Sequence, residues 1–88
     1  MTYTWNEAKN RRNLKLHGIA FEDAARIFEG PTVEQTDDRF DYGETRFRAF
    51  AYSGDQGRCL VFTVSGDQTI RVISYRRARR REMQRYGL

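Results

Sequence analysis

Seven arginines follow position 70, at 71, 76, 77, 79, 80, 81 and 85, and they are the densest source of chemistry in this 88-residue chain. The stretch from Thr69 to Gly87 reads as one strand running directly into one basic helix. Ile70, Val72 and Ser74 alternate with Arg71, Ile73 and Tyr75, as the two faces of an extended segment do. Ser74 is then expected to cap a helix, placing Arg76 and Arg77 in its first turn. Cations there oppose the helix dipole at roughly 0.3–1 kcal/mol each. A local rule broken so openly points to a site. Free backbone N–H groups and guanidinium groups at one helix start would cradle a phosphate or carboxylate. The alternative is a solvated helix whose arginines confer only solubility.

His17 is the only histidine, and histidine is the side chain suited to proton transfer near neutral pH. It stands before Gly18, so a helix C-terminal cap is the competing role. Glu82 and Tyr86 are spaced i and i+4 and share one face of the last helix. Either could exchange a proton, although an ion pair between Glu82 and a nearby arginine is the simpler expectation. Cys59 is the only cysteine and lies in an apolar run, which suits a buried small hydrophobe. It offers no disulfide framework and no cysteine-based zinc site. The carboxylates of Asp37, Asp38 and Asp41 have no second cluster, so a solvated loop is expected there and no metal or cofactor. No Gly-rich phosphate loop and no Ser/His/Asp arrangement is present.

The elements that must position these residues follow from periodicity and turn chemistry. Thr2 to Trp5 alternate as a short strand. Asn6 caps a helix reaching about Leu16, and His17-Gly18 ends it, Gly18 suiting the left-handed position. A second helix covers Ala20 to Glu29, with Phe21, Ala24, Ala25 and Phe28 on one apolar face, and Gly30-Pro31 stops it. Residues 32–36 form a strand leading into the acidic loop 37–44. The segment TRFRAFAY is a strand with Phe47, Ala49 and Ala51 on one face and Arg46, Arg48, Phe50 and Tyr52 on the other. Residues 53–57 turn a hairpin. Cys59 to Val64 are apolar on both faces, as a central strand should be. Ser65-Gly66-Asp67-Gln68 turns into the last strand. Trp5, Phe21 and Phe28 belong to the core. The result is one α+β domain over residues 1–88: a strand, two helices, an antiparallel meander and a C-terminal basic helix.

Sixteen Lys and Arg against twelve Asp and Glu give a net charge of +4, unevenly spread. Six acids crowd residues 29–45, opposite in sign to the C-terminal end. A basic end on a small domain suggests nucleic acid, an acidic protein or a membrane surface. The N-terminal residues lack a signal-peptide apolar region, and no stretch has the length of a membrane span. A soluble, cytoplasmic protein is expected.

Trp5, Lys9, Asn13-Leu14, His17-Gly18, Phe21, Ala24-Ala25, Phe28 and Pro31 resemble the N-terminal signature of the BrnT toxins. Gly43-Glu44-x-Arg46, Phe62-Thr63 and Ile70-Arg71-x-Ile73-Ser74-x-Arg76-Arg77-Ala78 resemble the rest of that pattern, as do Glu82 and Tyr86. The resemblance implies a RelE-like fold and metal-independent cleavage of RNA. It also implies a BrnA-type antitoxin partner, with operator DNA bound only through the toxin–antitoxin complex. Two positions depart from the pattern: Leu16 stands where the family has a Lys before its His, and Ser65 where it has an Arg two residues after the strand Thr. If that Arg serves catalysis in the family, the second departure implies reduced activity or another arginine in its place, and the runner-up is a nucleic-acid-binding module that cleaves weakly or not at all.

Metal-free RNA cleavage uses the 2′-OH as nucleophile and needs a base, an acid at the leaving 5′-oxygen, and cations on the phosphorane-like transition state. Arg71 and Arg76 are the expected phosphate binders, because a guanidinium fork binds phosphate bidentately and stays charged. His17, Glu82 and Tyr86 are the candidate proton carriers. Arg46, Arg48 and Arg77 would extend the RNA-binding patch. Tyr75, with Phe50 and Tyr52, would stack bases or else pack in the core.

Overall fold

The computed structural model describes residues 1–66 and 68–88. Its elements are β1 (Thr2–Thr4), α1 (Glu7–His17), a 3₁₀ segment (Phe21–Glu29), β2 (Thr32–Asp37), β3 (Arg46–Ser53), β4 (Gln56–Ser65), β5 (Thr69–Arg77) and α2 (Arg80–Arg85). The five strands form one sheet in the order β1-β5-β4-β3-β2. Only β1 and β5 run parallel; the other pairs are antiparallel. The expected α+β meander is therefore present, and β4, apolar on both faces, lies at its centre. Asp67, within the turn expected at residues 65–68, lies outside the described residues.

The ends of α1 follow local chemistry. Asn6 Oδ1 accepts the Lys9 N–H at 3.1 Å, and Gly18 adopts the left-handed conformation with φ 71°. Its N–H closes onto the Leu14 carbonyl at 2.8 Å. What α1 buries is less ordinary: Asn10 and Asn13 are its buried residues. Asn10 donates to Glu22 Oε1 at 2.6 Å and accepts the Phe21 N–H at 2.8 Å, which fixes the start of the next segment.

That segment differs from the expected α-helix. It winds as 3₁₀, with three residues per turn, so Phe21, Ala24 and Ile27 align at intervals of three and are buried. Ala25 and Phe28, expected on the apolar face, are only partly buried. Phe21, Ala24 and Ile27, together with Ile19, pack on one sheet face against Ala49, Leu60, Phe62, Val72 and Tyr75. Fully burying each large apolar side chain stabilises by about 1.5–3 kcal/mol. Trp5 and Phe28 pack at the margin of this core, as expected.

The last strand departs most from expectation. It continues through Ser74 to Arg77, pairing Cys59 with Arg76 and Arg58 with Arg77. Arg76 and Arg77 are therefore strand residues, not the first turn of a helix. The helix begins at Arg80 and is six residues long. A β-bulge at Ile73 shifts the register between Val61↔Ser74 and Phe62↔Val72. Downstream of it the alternation inverts: Tyr75 joins Ile70 and Val72 in the core, whereas Ser74 and Arg76 move to the face that carries Arg71.

Candidate functional site: an arginine-bearing sheet face

Cross-strand register defines three rows on the sheet face opposite the main core. One row runs Val33, Phe50, Cys59, Arg76; the next runs Gln35, Arg48, Val61, Ser74. Along the far rim Asp37 lies beside Arg46, and Thr63 beside Arg71. Four of the expected RNA-contacting arginines, at 46, 48, 71 and 76, thus share one face. α2 covers only the Phe50–Cys59 end of it, through Met83, and Tyr86 stacks on Phe50 with centroids 4.3 Å apart. Cys59 is buried there, and burial pushes its thiol pKa up. Where β4 passes under α2, a Cβ on Gly57 would meet Met83 Cγ at 2.7 Å and the Ala78 carbonyl oxygen at 2.8 Å.

The arginines differ in what holds them. Arg76 donates from Nη1 and Nη2 to the two carboxylate oxygens of Glu82 at 3.0 and 2.9 Å. This fork, against the opposing effect of burial, holds the Glu82 carboxyl down to about 2 and raises the Arg76 pKa. Glu82 also accepts the Arg79 N–H at 3.1 Å, closing the start of α2. It is ionised at neutral pH and holds no proton to donate. Arg46 pairs with Glu44 at 3.0 Å, its guanidinium 4.1 Å from the Tyr42 ring centroid. Arg48 lies 5.7 Å from the Phe50 centroid, with Nε buried and unpartnered. Arg71 is exposed.

His17 ends α1 and is exposed. With Leu16, Arg76, Arg77, Arg79 and Glu82 it lines one open cleft of about 350 Å³. The structure thus gathers His17, Arg76 and Glu82 in a cleft at the edge of the arginine-bearing face, and adds Arg79, which sequence reasoning did not single out. Arg77 alternates to the other side of β5 yet also lines this cleft. Tyr75, expected to be available for base stacking, is fully buried. The inversion at the bulge takes its ring into the core, where burial raises the phenol pKa.

Asp37 was expected in a solvated acidic loop. It instead ends β2 with its side chain 1% exposed. Arg39 binds both its oxygens at 2.7 and 2.9 Å, and the Tyr42 hydroxyl donates to it at 3.1 Å. The Arg39 bonds hold the Asp37 carboxyl far below the usual carboxylate range. The pairing is local in sequence, but nothing in the periodicity marks it.

A five-stranded sheet with α1 and the 3₁₀ segment on one face, and with α2 over one end of a basic opposite face, defines a compact α+β class. The family model described as "Ribonuclease toxin, BrnT, of type II toxin-antitoxin system" matches residues 5–82, and the chain belongs to that family. The 1.1 Å crystal structure of the Brucella abortus ribonuclease toxin, BrnT, is similar in fold, with a TM-score of 0.69 at 23% sequence identity. The alignment covers 91% of this chain and 100% of that one. No curated protein sequence gives a significant match. Family membership carries a ribonuclease-toxin role, an RNA target and an antitoxin partner. No helix among the described residues is long and apolar enough to cross a membrane.

Proposed function

We propose that this single domain is a cytoplasmic, metal-independent endoribonuclease that cleaves RNA through the 2′-OH adjoining the scissile phosphate. The observation that supports this most is the meeting of His17 with Arg76, Arg79 and Glu82 in one cleft beside a sheet face bearing Arg46, Arg48 and Arg71. The exposed imidazole either takes the proton of the 2′-OH as that oxygen bonds to phosphorus, or gives a proton to the 5′-oxygen as its bond to phosphorus breaks, leaving a 2′,3′-cyclic phosphate and a free 5′-OH. Arg71 and Arg76 hold the phosphate, with Arg46 and Arg48 carrying the flanking strand and Arg77 adding a further cation in the cleft. Glu82 acts as the group that orients Arg76, a fixed fork costing less to organise on substrate binding than a free one. Tyr86, held against Phe50, supplies the remaining hydroxyl near this end of the face. A BrnA-type antitoxin neutralises the toxin by covering the same basic face, and operator DNA is met only through that complex.

A second reading, a module that binds RNA but cleaves it weakly or not at all, is favoured by one observation. Ser65 ends β4 two residues beyond Thr63, so it lies on the arginine-bearing face where a guanidinium would extend the patch. Incubating labelled mixed-sequence RNA with the protein and excess EDTA separates the two. Cleavage that survives EDTA and disappears in His17→Ala supports the nuclease. RNA bound intact by the original, with cleavage appearing in Ser65→Arg, establishes the second reading.

A further inference from the structure

The loop between β2 and β3, residues 38–45, carries the most exposed aromatic ring among the described residues, Phe40 at 70%. Its neighbours are not loose. Arg39 and Tyr42, on either side of it, both close onto the buried Asp37 carboxylate, and the Gly43 N–H closes onto Asp41 Oδ1 at 3.1 Å. The Phe40 ring meets Tyr42 edge-on, centroids 5.8 Å apart at 72°. Tyr42 in turn lies against Arg46, which is paired in register with Asp37. A hydrocarbon ring thus stands in solvent at the rim of the arginine-bearing face, next in sequence to Arg39 and against the Tyr42 ring that Arg46 covers.

We infer that Phe40 is a base-stacking platform for an unpaired nucleotide of the bound RNA, with Arg39 and Arg46 beside the flanking phosphates. The inference rests on the reading of this face as the RNA-binding surface. Every base offers a π-face, and stacking on an aromatic ring contributes affinity without demanding a sequence. Phe40 has no polar atom to read a base edge, so it adds affinity and spacing, not base identity. The bonds to Asp37 organise the loop before RNA arrives, which removes part of the ordering cost of binding.

The test compares a short single-stranded RNA with an abasic ribose-phosphate strand of equal length, both titrated by fluorescence anisotropy over a range of salt. Phe40→Ala is expected to weaken binding of the base-bearing strand by about 5- to 100-fold. Phe40→Trp should retain most of the affinity. The abasic strand should not distinguish the variants, and the slope of log Kd against log salt should stay constant, because the phosphate contacts are unchanged. Circular dichroism confirms that the variants remain folded. Unchanged affinity of Phe40→Ala for the base-bearing RNA overturns the inference and leaves the ring to a protein contact. An equal loss on both strands overturns it as well, since the ring would then act through the arginines. If the original protein binds neither strand, the RNA-binding reading of the face fails, and this inference with it.

Discussion

Asn13 donates from Nδ2 to the Tyr75 carbonyl at 2.6 Å, and its Oδ1 accepts the Tyr75 N–H at 3.4 Å. β1 pairs with β5 only at Thr69, Ile70 and Arg71, so beyond Arg71 the outer edge of β5 has no strand beside it. One amide side chain of α1 stands in for that strand, directly after the bulge that turns Arg76 onto the arginine-bearing face.

Asn13→Ala is therefore expected to destabilise the protein by about 1–3 kcal/mol, leaving the buried Tyr75 and Ile19 carbonyls without this donor. Urea unfolding measures it. A loss below about 0.5 kcal/mol would show that water or a backbone shift replaces the amide.

Glu82 has a pKa lowered from 4.5 to about 2 by its fork with Arg76. A carboxyl depressed in the folded state stabilises fully above its unfolded pKa and loses that contribution as pH falls through the folded one. Stability should decline between about pH 4.5 and pH 2, and Glu82→Gln should flatten that part of the profile. Thermal melts across this range decide it. A Gln variant with the original slope would assign the acid sensitivity to other carboxylates, Asp37 foremost.

Gly57→Ala places a methyl group against Met83 and the Ala78 carbonyl. Overpacking of this kind costs about 1–3 kcal/mol, and here it should lift α2 from Phe50. Tm and the near-ultraviolet signal of the Phe50–Tyr86 stack should fall together. A normal Tm with an intact aromatic signal would mean that α2 yields without penalty.

His17→Ala should slow RNA cleavage by about 10²-fold or more, with little change in Tm because the side chain is exposed. Arg76→Ala also strips Glu82 of its partner, so Arg76→Ala combined with Glu82→Gln is the fairer variant: cleavage lost, fold retained. Full activity in that double variant would remove Arg76 from the reaction.

Much of the scaffold was legible because its signals are local. Asn6 and Gly18 bracket α1 through a side-chain cap and a left-handed residue, and the apolar run from Cys59 to Val64 announced a central strand. The C-terminal transition was misplaced because Ser74 followed by arginines satisfies every local rule for a helix start. Pairing with Arg58 and Cys59, which no local rule contains, keeps those residues in the sheet. Ile73 gives no sign of being the extra residue of a bulge, so the faces of Tyr75 and Arg76 could not be assigned correctly from alternation. The 3₁₀ winding that buries Ile27 rather than Phe28 is likewise set by packing. The gathering of His17 with Arg76 and Glu82 was anticipated only as a list of residues; their common cleft is a product of the tertiary fold.

The parallel pairing of Thr2, Tyr3 and Thr4 with Thr69, Ile70 and Arg71 sets the order in which a newly made chain can complete its sheet. β1 leaves the ribosome first and has no partner until β5 has been synthesised. Because β5 supplies both Arg71 and Arg76, the sheet's last seam closes with the same strand that brings those two guanidinium groups to the open face.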